Sequence, residues 1–152
     1  MDMRDRISLA LKDAMRNREA DRLSTLRLIT AAFKDRDIAA RGEGEEAQVA
    51  DDVLTAILAR MVKQRQESAR AYEEGGRLEL AQKELAEITV IEEFLPRQFD
   101  DDETDAAIAA AIIETEATSI RDMGRVMAVL KGRYAGQMDF GRVGPLVRGR
   151  LG

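Results

Sequence analysis

The chain has 152 residues with no Cys and no His, and 24 Lys+Arg against 29 Asp+Glu give a formal net charge of −5. Without Cys there is no disulfide framework or thiolate site, and without His there is no Ser-His or Cys-His arrangement and no imidazole metal ligand. An apolar content of 45 % with 4 % aromatic residues and no Trp specifies an aliphatic core, and no apolar run reaches the length needed to cross a bilayer.

The first predicted helix covers about residues 2 to 17, with Met3, Ile7, Leu11, Ala14 and Met15 at helical spacing. After the polar turn Asn17–Asp21, with Asp21 read as N-cap, a second helix over about 21 to 40 carries Leu23, Leu26, Ile29 and Phe33 on one face. Gly42-Glu43-Gly44-Glu45-Glu46 reads as a mobile acidic loop. A long helix over about 47 to 74 follows, its wide stripe made of Val49, Val53, Leu54, Ile57, Leu58, Met61 and Val62. Gly75-Gly76 ends it, and a fourth helix over about 77 to 94 carries Ala81, Leu85, Ile88, Ile91 and Leu95. No segment alternates with period two for long enough to be a strand.

The chain turns over at Phe94–Glu103. Pro96 lacks an N–H and pushes Leu95 out of the α region, so the arriving helix stops there. Asp100 and Glu103 form a capping-box signature for the next helix. Three shorter helices are predicted beyond it. The first spans about 101 to 116 with Ile108, Ala111 and Ile112 inward. The second spans about 120 to 134, opened by Ser119 and Asp122, with Met123, Val126, Met127, Leu130 and Tyr134 inward and Gly136 ending it. The last opens at Asp139 and carries Phe140, Val143, Leu146, Val147 and Leu151; Pro145 kinks it near Gly144 or marks its true start. The expectation is an all-α protein: an N-terminal antiparallel domain of four helices, 1–96, and a small C-terminal three-helix domain, 97–152, each folding on its own.

Charge divides along the same line. Residues 1–95 are net −4 and residues 96–119 net −6, whereas residues 120–152 hold 7 Lys+Arg against 2 Asp+Glu, net +5. Arg121 and Arg125 lie opposite the Met123, Met127 and Leu130 face, and Arg142 opposite Phe140 and Val147. Arginines on the outer faces of consecutive helices can hold phosphates, because the guanidinium fork matches them; the alternative is a solvated face complementing helix dipoles. Gly141-Arg142-Val143-Gly144 spells the loop of a KH module, but that loop works only among strands, so the match is coincidental. Lys63, Gln64 and Arg65, with Arg22 and Arg27, form a second polar cluster read as inter-helix ion pairs with acids. No catalytic residue, metal site or cofactor is indicated.

The order of motifs resembles a known family. Arg22-Leu23-Ser24-Thr25-Leu26-Arg27, Lys63-Gln64-Arg65 with Ser68, Tyr72 and Gly75-Gly76-Arg77, and Glu87-Ile88 through Phe94-Leu95-Pro96 look like the YqeY proteins. Asp122-Met123-Gly124-Arg125-Val126-Met127, then Lys131 and Gly136, look like the tail domain that YqeY shares with GatB, a subunit of the tRNA-dependent amidotransferase. The chain departs from the family at Gly136-Gln137-Met138-Asp139-Phe140, where Gly-x-Ala-Asp-Gly is usual. The resemblance implies a cytoplasmic, non-catalytic module whose tail binds tRNA or a tRNA-charging complex, with no DNA or membrane partner. Arg121, Arg125, Lys131, Arg133 and Arg142 would contact phosphates, and Gly124 would permit close backbone approach or tight helix packing. Two alternatives stand beside it. One is a protein-interaction adaptor whose N-terminal helices dock a partner. The other is the carbon-nitrogen ligase activity, with glutamine as amido-N-donor, that the family label suggests; nothing in the chain resembles the amide-transfer core.

Overall fold

The structure, a computed structural model, describes residues 1–44 and 49–152. Part of the acidic loop and the expected start of the third helix, at 45–48, lie outside the described residues. Among the described residues there are seven α-helices and no strand. In order they are α1 (Met3–Arg16), α2 (Ala20–Gly42), α3 (Asp51–Glu74), α4 (Leu78–Glu92), α5 (Asp101–Glu114), α6 (Met123–Tyr134), preceded by a 3-10 turn Ile120–Asp122, and α7 (Phe140–Leu151). None of them is long and apolar enough to cross a membrane. By contact, the chain divides into two compact units, Met1–Leu95 and Pro96–Gly152.

The first unit is built on the aliphatic stripes. Leu26, Ile29, Leu54, Leu58 and Ile91 are fully buried in one cluster with Met3, Ile7, Phe33 and Phe94, each such side chain contributing about 1.5–3 kcal/mol of burial. Met15 and Leu85, expected inward, are exposed. They sit at the edge of stripes already filled by Ala14 and by Ala81 and Ile88. The turn from α3 to α4 shows why two glycines stand there. Gly75 caps α3, Gly76 takes φ 74°, and Arg77 and Gly76 donate back to the Tyr72 and Glu73 carbonyls, closing the Schellman pattern. Two of the arginines read as ion-pair partners have that role: Arg65 donates to Glu87 at 2.9 Å, and Arg22 grips both oxygens of Glu93. The α2 cap is Glu19, with Asp21 in the first turn rather than at the N-cap.

One buried carboxylate was not foreseen. Asp37 on α2 accepts two bonds from Arg4 of α1, at 3.0 and 2.8 Å, and one from the Val49 N–H at 3.0 Å. Arg4 first, then the Val49 amide, holds the Asp37 carboxyl below the usual carboxylate range. The site ties α1, α2 and the approach to α3 together.

In the second unit Ile108, Val126, Leu130 and Val147 are fully buried and Val143 nearly so. Tyr134–Gln137 makes a type II turn, with Ala135 at φ −52°, ψ 130° and Gly136 at φ 79°, closed by Gln137 N–H to Tyr134 O at 2.9 Å. The segment after Pro96 is sewn to this turn. Phe99 N–H donates to Gln137 O at 2.9 Å, Gln137 Nε2 donates to Arg97 O at 3.1 Å, Gln98 donates to Gly136 O, and the Phe99 and Tyr134 rings lie 5.0 Å apart. Asp100 accepts from the Glu103 N–H at 2.7 Å and Glu103 accepts from the Asp100 N–H, completing the capping box of α5.

Arg97, at 2.8 Å, adds a charged donor to Glu103. Arg97 first, then the Asp100 amide, lowers the Glu103 carboxyl to about 2. A carboxyl depressed on folding stabilises above its unfolded pKa of about 4.3 and stops doing so as pH falls toward 2. Thermal melts between pH 5 and 2 are therefore expected to show the tail losing stability, with Glu103→Gln flattening that part of the profile because Gln keeps the cap but does not titrate.

Two helix ends use a left-handed residue that is not glycine: Arg18 at φ 56° after α1 and Glu116 at φ 54° after α5. At the second, Ala117 N–H reaches Ile112 O at 3.1 Å, so the backbone geometry rather than the side chain is what the turn needs. Glu116→Gly is expected to raise stability by roughly 0.5–1 kcal/mol, read by urea melts. The last helix opens at Asp139 as expected and does not wait for Pro145 to start. It begins at Phe140, where Asp139 accepts from the Gly141 N–H at 3.0 Å, and continues through Pro145 to Leu151. Pro145 forfeits the bond to the Gly141 carbonyl, and burial of Val143 and Val147 on either side carries the helix past it. The Gly141–Gly144 motif thus lies inside a helix, consistent with its being no KH loop.

Candidate nucleic-acid interface

The basic end of the chain is assembled on the 3-10 turn, α6 and α7. Asp122 organises the start of α6: its carboxylate accepts from the Thr118 N–H at 2.9 Å, the Ser119 N–H at 3.3 Å and Arg125 at 2.7 Å. Those donors, the Thr118 amide foremost, hold the Asp122 carboxyl below its ordinary range. Arg125 is therefore oriented rather than consumed, with 59 % of its side chain still in solvent.

Helical spacing then sorts the candidate residues. Val126 and Leu130 bury one side of α6, while Gly124, Arg125, Ala128, Lys131 and Gly132 are exposed together on the other, with exposed Arg121 on the turn leading in. A Cβ placed at Gly124 or Gly132 would meet nothing within 4 Å. Tight helix packing is thus not what Gly124 provides within this chain. The outer face of α6 is a strip of small residues, Gly124, Ala128 and Gly132, beside cationic side chains, with the backbone uncovered at the two glycines. Arg121 and Lys131 enter no ion pair among the described residues.

The other two candidates stand apart. Arg133 points along a different side of α6 and is held by both oxygens of Glu114, each at 2.8 Å. Arg142, on α7, approaches exposed Asp101 of α5 at 3.9 Å. Sequence reasoning missed Ala128 and Gly132, although their spacing of four from Gly124 was visible, and missed exposed Arg148 on α7. It could not foresee the Glu114 partner of Arg133, which lies 19 residues away in the chain. Among the described residues no group of His, Cys, Asp and Glu is arranged to hold a metal ion.

A comparison with curated proteins returns no match. The family model described as Yqey-like protein matches residues 4–151, a span that takes in both compact units and every helix but the first residue of α1. An all-helical chain matched over nearly its whole length belongs to the Yqey-like protein family.

Proposed function

We propose that this chain is a non-catalytic, cytoplasmic helical module whose tail holds tRNA by its phosphates, alone or within a tRNA-charging complex. In this reading a four-helix N-terminal domain, 1–96, carries a three-helix tail, 97–152, related to the tail of GatB. The observation that carries it is the outer face of α6: Arg121, Arg125 and Lys131 exposed around a backbone strip that nothing covers at Gly124. Phosphate oxygens suit such a face, since guanidinium and ammonium groups supply charged donors and the missing side chains allow close approach. Arg142 and Arg148 on α7 extend the positive field, and Arg133 contributes once Glu114 is displaced. RNA rather than DNA is the expected partner, and no cofactor enters.

Binding of total tRNA by the full chain at two salt concentrations tests the proposal, because phosphate-driven affinity falls steeply with salt. Gly124→Ala separates recognition from folding. In an exposed helical position it is expected to raise stability by up to about 1 kcal/mol, yet to weaken tRNA binding by covering the bare strip. Unchanged binding by a more stable variant would leave the charges without the close backbone approach.

A further inference from the structure

In the N-terminal unit, α1 and α2 leave an open groove of about 200 Å³ with Ile7, Leu11 and Phe33 at its base and Ser8 and Lys34 at its lips. The Arg4–Asp37 pair closes one end. An apolar cavity of about 150 Å³ already holds benzene, so this one has room for a single large apolar side chain, though not for a drug-sized ligand. Lys34 is the middle member of a set at seven-residue spacing on α2, Arg27, Lys34 and Arg41, which brings all three to one edge of the helix. All three are exposed, and Arg27 and Lys34 enter no ion pair among the described residues. The carboxylate on that edge, Asp37, is already taken by Arg4 and the Val49 amide. On α1 the facing edge runs from Arg4 past Ser8 to exposed Met15, about 16 Å at 1.5 Å per residue. A unit of net charge −4 thus presents one apolar groove along a cationic lip.

We infer that this groove docks an acidic amphipathic helix of a protein partner, one large apolar side chain entering the cavity and carboxylates lying along Arg27, Lys34 and Arg41. The apolar base, with Leu11 partly open over the nearly buried Ile7 and Phe33, favours such a helix over a nucleic acid, whose phosphates would use the lip alone. The groove is lined by residues of the first unit, and the inference does not depend on tRNA binding.

The probe is a synthetic helical peptide of about 15 residues with Leu at i, i+3 and i+7 and Glu on its remaining face. It is titrated into the full chain while backbone amide shifts are followed. Saturable shifts centred on Ser8, Phe33 and Lys34 below about 1 mM peptide are expected. Affinity should fall roughly fivefold to tenfold in Lys34→Glu/Arg27→Glu, a variant that disturbs no pair and should melt as the parent does. A peptide with Ala in place of Leu, or Lys in place of Glu, should not bind. No saturable shift, equal binding of the Ala peptide, or tRNA shifting these same amides in preference to the peptide would overturn the inference.

Discussion

Replacing Leu130 by Ala is expected to lower the melting transition of the tail by at least about 10 °C while leaving that of the N-terminal unit in place. Leu130 is fully buried in the tail cluster with Ile108, Val126 and Val147. Truncating such a side chain costs about 2–5 kcal/mol, because the lost transfer free energy is joined by a cavity. The tail, Pro96–Gly152, is 57 residues long, and at roughly 0.05–0.15 kcal/mol per residue its whole stability is about 3–9 kcal/mol. One truncation therefore removes a large share of it. Leu58→Ala, in the separate cluster of the first unit, should do the reverse. Differential scanning calorimetry of the full-length variants reads both transitions. If both move together in either variant, the chain is one cooperative unit and the two-domain reading fails.

Periodicity made most of this fold legible. Leu26, Ile29 and Phe33, Leu54 and Leu58, Ile108 and Ala111, and Val126 and Leu130 are all buried where the helical spacing put them. The signals at Pro96, Asp100 and Gly76 also acted locally, through a missing N–H, a capping carboxylate and a left-handed turn, and such local chemistry is readable without a fold. What escaped depended on partners distant in sequence. Asp37 has no local signal for burial, and Arg4, which encloses it, lies 33 residues earlier. The continuation of α7 through Pro145 rests on burial of Val143 and Val147 against the rest of the tail, and propensity alone argued the other way. At the candidate interface the outward placement of Arg121, Arg125 and Arg142 was visible, but their acidic neighbours were not. Glu114 draws Arg133 to one side, while Asp122 fixes Arg125 within the exposed face.

The claim that the outer face of α6 holds tRNA phosphates is tested most directly by the double variant Arg121→Ala/Arg125→Ala. Arg121 has no partner among the described residues. Removing Arg125 costs Asp122 one donor while the Thr118 and Ser119 amides keep it in place. Stability should therefore change within about ±0.5 kcal/mol. Charged contacts to phosphate are worth more than neutral ones, so losing two should weaken tRNA binding at least about tenfold at low salt. Because phosphate contacts carry no base information, the loss should be the same for different tRNAs. The measurement is the tRNA affinity of the parent and the double variant from about 50 mM to about 200 mM salt. The account predicts steep salt dependence in the parent and a slope shallower by up to about two in the variant; equal affinities and slopes, or a parent that binds independently of salt, would contradict it.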